Sequence, residues 1–222
     1  MRKSKRIKKS NSWKIKQHRD QFFKKSKTLG YRSRASFKLI ELNNKFRFIK
    51  KNTNLLDLGS SPGSWTQVAN QIISDGKIMS IDIKDMEPIK NVKFFKGDIL
   101  LEKTKNEVKK YFVTKLDVII SDMAADTTGN KSLDSIRTNQ LCADVLNFSK
   151  LTLKPKGVLV SKLFMGEDFI EVKNLAKSIF KKVNFFKPES SRRESKETYF
   201  FKYRFCKVFY FYKVIAHKYF RN

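Results

Sequence analysis

At 222 residues and 40% hydrophobic content, the chain can bury one substantial core and little more, so one globular domain is the default. Its 49 Lys and Arg against 21 Asp and Glu leave a net charge of +28, which favours a polyanionic partner, because each cation set against a phosphate releases counterions. No apolar run approaches the roughly 20 residues that span a bilayer, and the first residues, MRKSKRIKKSNSWKIKQ, lack the apolar stretch of a secretory signal, so neither is expected.

The charge is uneven. Residues 1–51 carry 19 basic and 2 acidic residues, residues 52–180 carry 18 and 16, and residues 181–222 carry 12 and 3. A near-neutral domain therefore has two basic ends. An anionic membrane surface or a mitochondrial address is compatible with such charge, but a nucleic acid is the preferred partner. Residues 1–30, with Trp13, Phe22 and Phe23 interleaved among the cations, read as an RNA-binding arm, mobile or partly helical, that orders on its partner. From Ser33 a helix is predicted, because Ala35, Leu39, Leu42 and Phe46 form one apolar stripe. Lys38 borders that stripe, where a lysine ordinarily buries its stem and keeps its amine wet.

From Asn54 strand and helix alternate. NLLDL is a short buried-type strand, and Trp65, Val68, Ala69, Ile72 and Ile73 mark a helix face. GKIMSID and VKFFKGD are strands ending at Asp82 and near Asp98; a polar helix over 102–112 leads to the strand LDVIISD, which ends at Asp122. Leu141, Val145 and Phe148 pattern a helix, GVLVSKLF is a strand carrying Lys162, and Phe169, Val172, Ala176 and Ile179 pattern a last helix before the strand KVNFF. The succession predicts an α/β fold, a mostly parallel central sheet with helices on both faces. Ligands of such sheets collect at the carboxyl ends of the strands, where Asp82, Asp98 and Asp122 stand.

The loop GSSPGSW after the first strand brings backbone close to a ligand through Gly59 and Gly63. It lacks the lysine and hydroxyl that close a phosphate-binding P-loop, and it is not G-x-G-x-x-G. Asp82, about twenty residues on, suits ribose hydroxyls of an adenosine-containing ligand, and Asp98 suits ribose or the amino edge of a base. Trp65 either closes the pocket or packs in the core. His18 and His217 have no second ligand at metal spacing, and Cys142 and Cys206 are far apart, so neither a metal site nor a disulfide is expected.

YRSRASFKLIEL, LLDLGSSPGSW, SIDI, GDI, SDMAAD, GVLVSKLF and SRRESKETY occur in an order and spacing that resembles the FtsJ/RrmJ (RlmE) family of S-adenosylmethionine-dependent ribosomal RNA 2′-O-ribose methyltransferases. The resemblance covers roughly residues 28 to 200 and implies a Rossmann-like methyltransferase fold with S-adenosylmethionine as cofactor. It implies that Gly63, Trp65, Asp82, Asp98 and Asp122 line the cofactor site together with the Gly59 turn. The family's Lys-Asp-Lys-Glu catalytic set falls on Lys38, Asp122, Lys162 and Glu197. Ser64 stands where the family commonly has a second glycine, and a left-handed backbone there would be strained. Residues 31–202 form the implied methyltransferase domain. The basic, aromatic stretch 203–222 is then an added strand or extension in preference to an RNA-stacking surface.

Transfer to a ribose 2′-oxygen needs a positioned methyl, an in-line oxygen and a sink for the hydroxyl proton. Lys162 is the expected base, and Arg32 and Arg34 are expected to hold phosphates near the pocket. The implied substrate is a uridine in the A loop of large-subunit ribosomal RNA, on the assembled large subunit. The expected location is the cytoplasm, and like charge at both ends argues for a monomer. A transfer-RNA 2′-O-methyltransferase would share every motif. A non-catalytic RNA-binding assembly protein explains the charge but leaves the four catalytic-type residues unused, and a nicotinamide-dependent oxidoreductase lacks the fitting glycine pattern.

Overall fold

A computed structural model of the chain describes residues 20–166, 168–192 and 194–205. The elements in order are α1 (Gln21–Thr28), α2 (Ala35–Phe46), β1 (Leu55–Leu58), α3 (Ser64–Ile72), β2 (Ile78–Asp82), β3 (Val92–Lys96), α4 (Glu102–Phe112), β4 (Leu116–Ser121), α5 (Lys131–Thr152), β5 (Leu153–Phe164), α6 (Phe169–Ile179), β6 (Phe180–Phe186) and β7 (Glu197–Phe205). Seven strands form one sheet in the order β3-β2-β1-β4-β5-β7-β6. The first five run parallel, and β7 is inserted antiparallel to both β5 and β6.

Both faces of the sheet are covered, which is why the central strands read as apolar runs without alternation. All four residues of β1 are buried. Leu56 and Leu58 pack with Ile119, Leu159, Leu146 and Ala176 under α5 and α6, whereas Leu55 packs with Val118, Val160, Leu39 and Val68 under α2 and α3. The α/β sandwich expected from the sequence is thus present. No helix among the described residues is long and apolar enough to cross a membrane.

The arm expected to be mobile or partly helical carries a helix, and two elements start earlier than the sequence pattern shows. Residues 21–28 of the basic arm form α1, capped by the Asp20 carboxylate, which accepts from Phe22 N and Phe23 N; Phe22 packs on Phe37 of α2 with ring centroids 5.4 Å apart. The remainder of the arm, residues 1–19, lies outside the described residues. Helix α5 begins ten residues before Leu141, because its first turns bury polar Asp134, Ser135, Thr138 and Asn139, which leave no apolar periodicity to read. Strand β7 begins at Glu197, earlier than the added strand expected within 203–222. It crosses the expected boundary at residue 202, and its buried Lys202 disguises it. The Lys202 amine lies 3.2 Å from the Phe180 ring centroid, and burial pushes it down to about 6. Residues 206–222 of the extension lie outside the described residues.

Candidate active site

A cavity of about 690 Å3 opens at the carboxyl ends of β1, β2 and β4, where Gly59, Asp82, Asp98, Asp122 and Met123 are among its lining residues. Its floor is the turn after β1. Gly59 has φ +72°, and a Cβ there would stand 2.5 Å from Met123 Cγ, so only glycine lets this turn meet the end of β4. The turn is tied to β2, because Gly59 N and Ser60 N donate to the Ile81 carbonyl and Ser61 N donates to Asp82 Oδ2 at 2.8 Å. Asp82 Oδ1 accepts from Lys84 N at 2.8 Å, and Asp98 Oδ1 accepts from Leu100 N at 2.9 Å. Each carboxylate has further lone pairs for a ligand.

Gly63 and Trp65 do not line the cavity. Gly63, at φ +106°, is the left-handed residue before α3. Trp65 is 3% exposed, donates its Nε1–H to the Ala35 carbonyl at 2.8 Å and packs against Tyr199, so the core alternative holds for it. Ser64 is the first residue of α3 and its backbone is not left-handed; its Oγ shares a 2.7 Å hydrogen bond with Ser33 Oγ. The conditional strain at Ser64 therefore does not arise.

Lys38, Asp122, Lys162 and Glu197, from four separate elements or their ends, converge beside this cavity. Lys162 Nζ lies 2.6 Å from Asp122 Oδ1 and donates to the Asp122 main-chain carbonyl at 2.8 Å. Lys38 Nζ lies 2.9 Å from Glu197 Oε1 and 3.0 Å from Oε2. Tyr199 joins the two pairs. Its hydroxyl donates to Asp122 Oδ1 at 2.6 Å, and the Lys38 amine stands 5.7 Å from its ring centroid.

The strand register explains the convergence. Lys162 of β5 is the direct partner of Tyr199 on β7, and Glu197, two residues earlier, projects to the same face. Burial alone would raise the Asp122 carboxyl, but the ammonium groups of Lys162 and Lys38, with hydrogen bonds from Lys162 and Tyr199, hold it below the ordinary carboxylate value. Burial, then the negative charges of Asp122 and Glu197, push the Tyr199 phenol well up, so it remains a donor.

The two arginines are engaged within the fold. Arg32 Nη1 donates to the carbonyls of Pro62 (2.9 Å) and Glu87 (2.8 Å), and Nη2 donates to that of Pro88 (3.0 Å). It clamps the glycine turn to the loop after β2. Arg34 pairs with the Asp20 carboxylate and donates to the Ser190 carbonyl. Both guanidinium groups, expected to hold phosphates, thus also make contacts to protein acceptors.

Two residues escaped the reading of the sequence. Tyr199 sits in the quoted SRRESKETY, and its spacing of two from Glu197 on a strand was the signal for it. Asp57, inside the apolar run of β1, is fully buried behind the glycine turn and accepts from Thr66 Oγ1 at 2.6 Å. Burial, partly offset by that hydrogen bond, pushes its carboxyl up to about 7.

The sequence profile of the FtsJ-like methyltransferases matches residues 31–205. A protein of Pelagibacter ubique named ribosomal RNA large subunit methyltransferase E is 43% identical over 199 residues, covering 90% of this chain and 96% of its own length. The crystal structure of a candidate ribosomal RNA methyltransferase from Plasmodium falciparum superposes with a TM-score of 0.70 at 34% identity, over 79% of this chain and 98% of that one. Human methyltransferase-like protein 13, solved in complex with SAH, shares the fold at 16% identity and TM-score 0.54, over 75% of this chain and 78% of its own.

The methyl donor is S-adenosylmethionine, and the cavity suits it. Asp82 and Asp98 offer acceptors for ribose hydroxyls and an adenine amino group, and Ile83, Ile99 and Met123 offer apolar walls. The Gly59 turn lets backbone approach it. The profile match over most of the chain, with a relative 43% identical across nearly its full length, establishes that this chain belongs to the FtsJ-like methyltransferase family.

Proposed function

We propose that the chain methylates the ribose 2′-oxygen of a uridine in the A loop of large-subunit ribosomal RNA, on the assembled subunit. The observation that carries this reading is the packing of two lysines and two acids, bridged by Tyr199, against the cavity that suits S-adenosylmethionine. The name of the Pelagibacter relative supports the ribosomal substrate, and the family resemblance supports the nucleotide.

The bound sulfonium supplies an electrophilic methyl and a neutral leaving group. The chain supplies alignment and proton handling. In this reading Asp82 and Asp98 hold the adenosine end, and Asp122 faces the methionine end. Lys38 and Glu197 orient the 2′-hydroxyl, and Lys162 Nζ takes its proton as the oxygen–methyl bond forms. A lysine that accepts a proton must first be neutral, which costs a free amine about 5 kcal/mol at pH 7. Asp122, whose carboxyl is held below the ordinary carboxylate value, is a poor acceptor for that proton. Residues 1–30 flank this domain as a basic RNA-binding arm and residues 203–222 as a basic aromatic extension, and the protein acts as a cytoplasmic monomer.

The test is mass-spectrometric mapping of ribose methylation after incubating the chain and S-adenosylmethionine with unmodified large subunits, free large-subunit RNA and transfer RNA. One new 2′-O-methyluridine in the A loop, strongest on subunits, is expected. A mark on transfer RNA alone would reassign the substrate, and no transfer to any RNA would leave an RNA-binding protein without this activity.

A further inference from the structure

At the opposite end of the sheet from the cavity, Lys45, Arg47, Lys50, Lys154 and Lys156 surround a groove of about 600 Å3. The end of α2, the turn into β1 and the first residues of β5 build it. Lys45, Arg47, Lys50 and Lys156 are exposed. Among the described residues Asp117 is the one carboxylate in the lining, and it is already occupied: Oδ1 pairs with Lys154 Nζ at 2.6 Å and Oδ2 accepts from Asn54 N at 3.0 Å. Lys45 is braced over the Phe186 ring, 4.3 Å from its centroid. Arg47 takes the left-handed position that ends α2, at φ 48°.

The same helix serves both ends of the molecule. Lys38 meets Glu197 at the catalytic end, and Lys45 and Arg47 lie about 10–14 Å farther along the axis. Strand β7 also finishes at the groove end, since Val158 near the start of β5 pairs with Tyr203, and Phe180 pairs with Phe205. Residues 206–222 thus begin there, with four basic residues and no acidic one. Cations spread around a groove, with no single convergence point, suit a chain of phosphates.

We propose that this groove is a second RNA contact, a sequence-independent clamp on the phosphate backbone of the RNA whose ribose is presented beside Lys38 and Glu197. The class of RNA rests on the proposed function; the clamp does not. In the full chain, the variant Lys45→Gln/Arg47→Gln/Lys156→Gln is compared with Lys90→Gln/Lys93→Gln/Lys103→Gln, which removes equal charge at the β3 edge. Binding to a large-subunit RNA fragment is titrated from 50 to 200 mM salt, beside methyl transfer and S-adenosylmethionine calorimetry.

The groove variant is expected to lower the steepness of log K against log salt by about two, at about 0.7 per lost contact on single strands. Its RNA affinity falls about tenfold or more and its RNA KM rises in step, with kcat at saturating RNA and cofactor affinity unchanged. A wild-type slope and RNA KM in the groove variant would overturn the clamp, as would an equal loss in the β3-edge variant. Lost binding to phosphatidylserine vesicles with RNA binding intact would overturn it too, by assigning the groove to a membrane surface. If the wild-type chain methylates no ribosomal RNA while the groove variant still loses RNA affinity, the functional reading fails and the clamp stands.

Discussion

Lys162→Ala removes an ammonium from 2.6 Å beside Asp122 Oδ1 and frees the carbonyl it also bonded. The two side chains are 9% and 18% exposed, so water replaces the lost partner poorly. Breaking a buried pair by removing one member costs about 3–5 kcal/mol. The Tyr199 hydroxyl and the Lys38 ammonium remain near Asp122, which sets the expected loss at about 3 kcal/mol. In a chain of this size that lowers Tm by about 6–12 °C. Activity falls for a separate reason, loss of the proton acceptor, and by about 1,000-fold or more, equivalent to about 4 kcal/mol. Lys162 is not among the residues lining the cavity, so calorimetry is expected to give a cofactor Kd within about threefold of wild type. Lys162→Arg separates the two effects, because a guanidinium keeps the ion pair but does not release its proton. It is expected to recover most of the Tm and none of the turnover. Methyl transfer within about tenfold of wild type in either variant would refute the assignment of Lys162 as the base.

Arg32→Ala is expected to raise the S-adenosylmethionine KM about tenfold, near 1.4 kcal/mol, by releasing three carbonyls of the cofactor turn and its neighbouring loop. An altered salt slope for RNA with no change in cofactor KM would favour the phosphate role. Deleting residues 1–19, which hold nine basic residues and no acidic one, is expected to flatten the salt dependence of RNA binding and leave cofactor affinity unchanged; an unaltered slope would contradict an RNA-binding arm. Asp57 holds its proton to about pH 7 in the folded chain, above the unfolded value of 3.8. Between those values the native state binds more protons, so stability declines as pH rises, by about 4 kcal/mol in all. Asp57→Asn removes this slope, raising Tm relative to wild type by more at pH 8 than at pH 5, as thermal unfolding across pH will show.

Much of the fold was legible because both faces of the sheet demand apolar strands and apolar helix stripes, and these are local patterns. Where burial is polar, the pattern vanishes. The opening turns of α5 bury Asp134, Thr138 and Asn139, and β7 buries Lys202, so neither segment announced its extent. The candidate site was legible only through the order of its motifs. Nothing in periodicity links Lys38 to Glu197; the β5–β7 register and the packing of α2 do, and those are properties of the assembled chain. The partners of Trp65, Arg32 and Arg34 were illegible for a related reason. A residue type shows what a side chain is able to bind, whereas its actual partner is decided by neighbours distant in sequence, such as Ala35, Pro88 and Asp20.

The distribution of engaged and exposed cations has a consequence for catalysis. The arginines nearest the site donate to protein acceptors, and the site itself sets two lysines against two carboxylates. Little net charge is left there to draw in a polyanion, so attraction must come from cations elsewhere, the exposed ones of the far groove and those that the sequence gathers in its basic ends. Exposed charges feel salt strongly, whereas nearly buried pairs are screened much less. Raising salt from 50 to 200 mM should therefore increase the RNA KM steeply, by about tenfold or more, while kcat at saturating RNA stays within about twofold. A kcat that fell in parallel with RNA affinity would mean that ions reach the Lys162–Asp122 and Lys38–Glu197 pairs, and the separation of RNA capture from proton transfer would then be wrong.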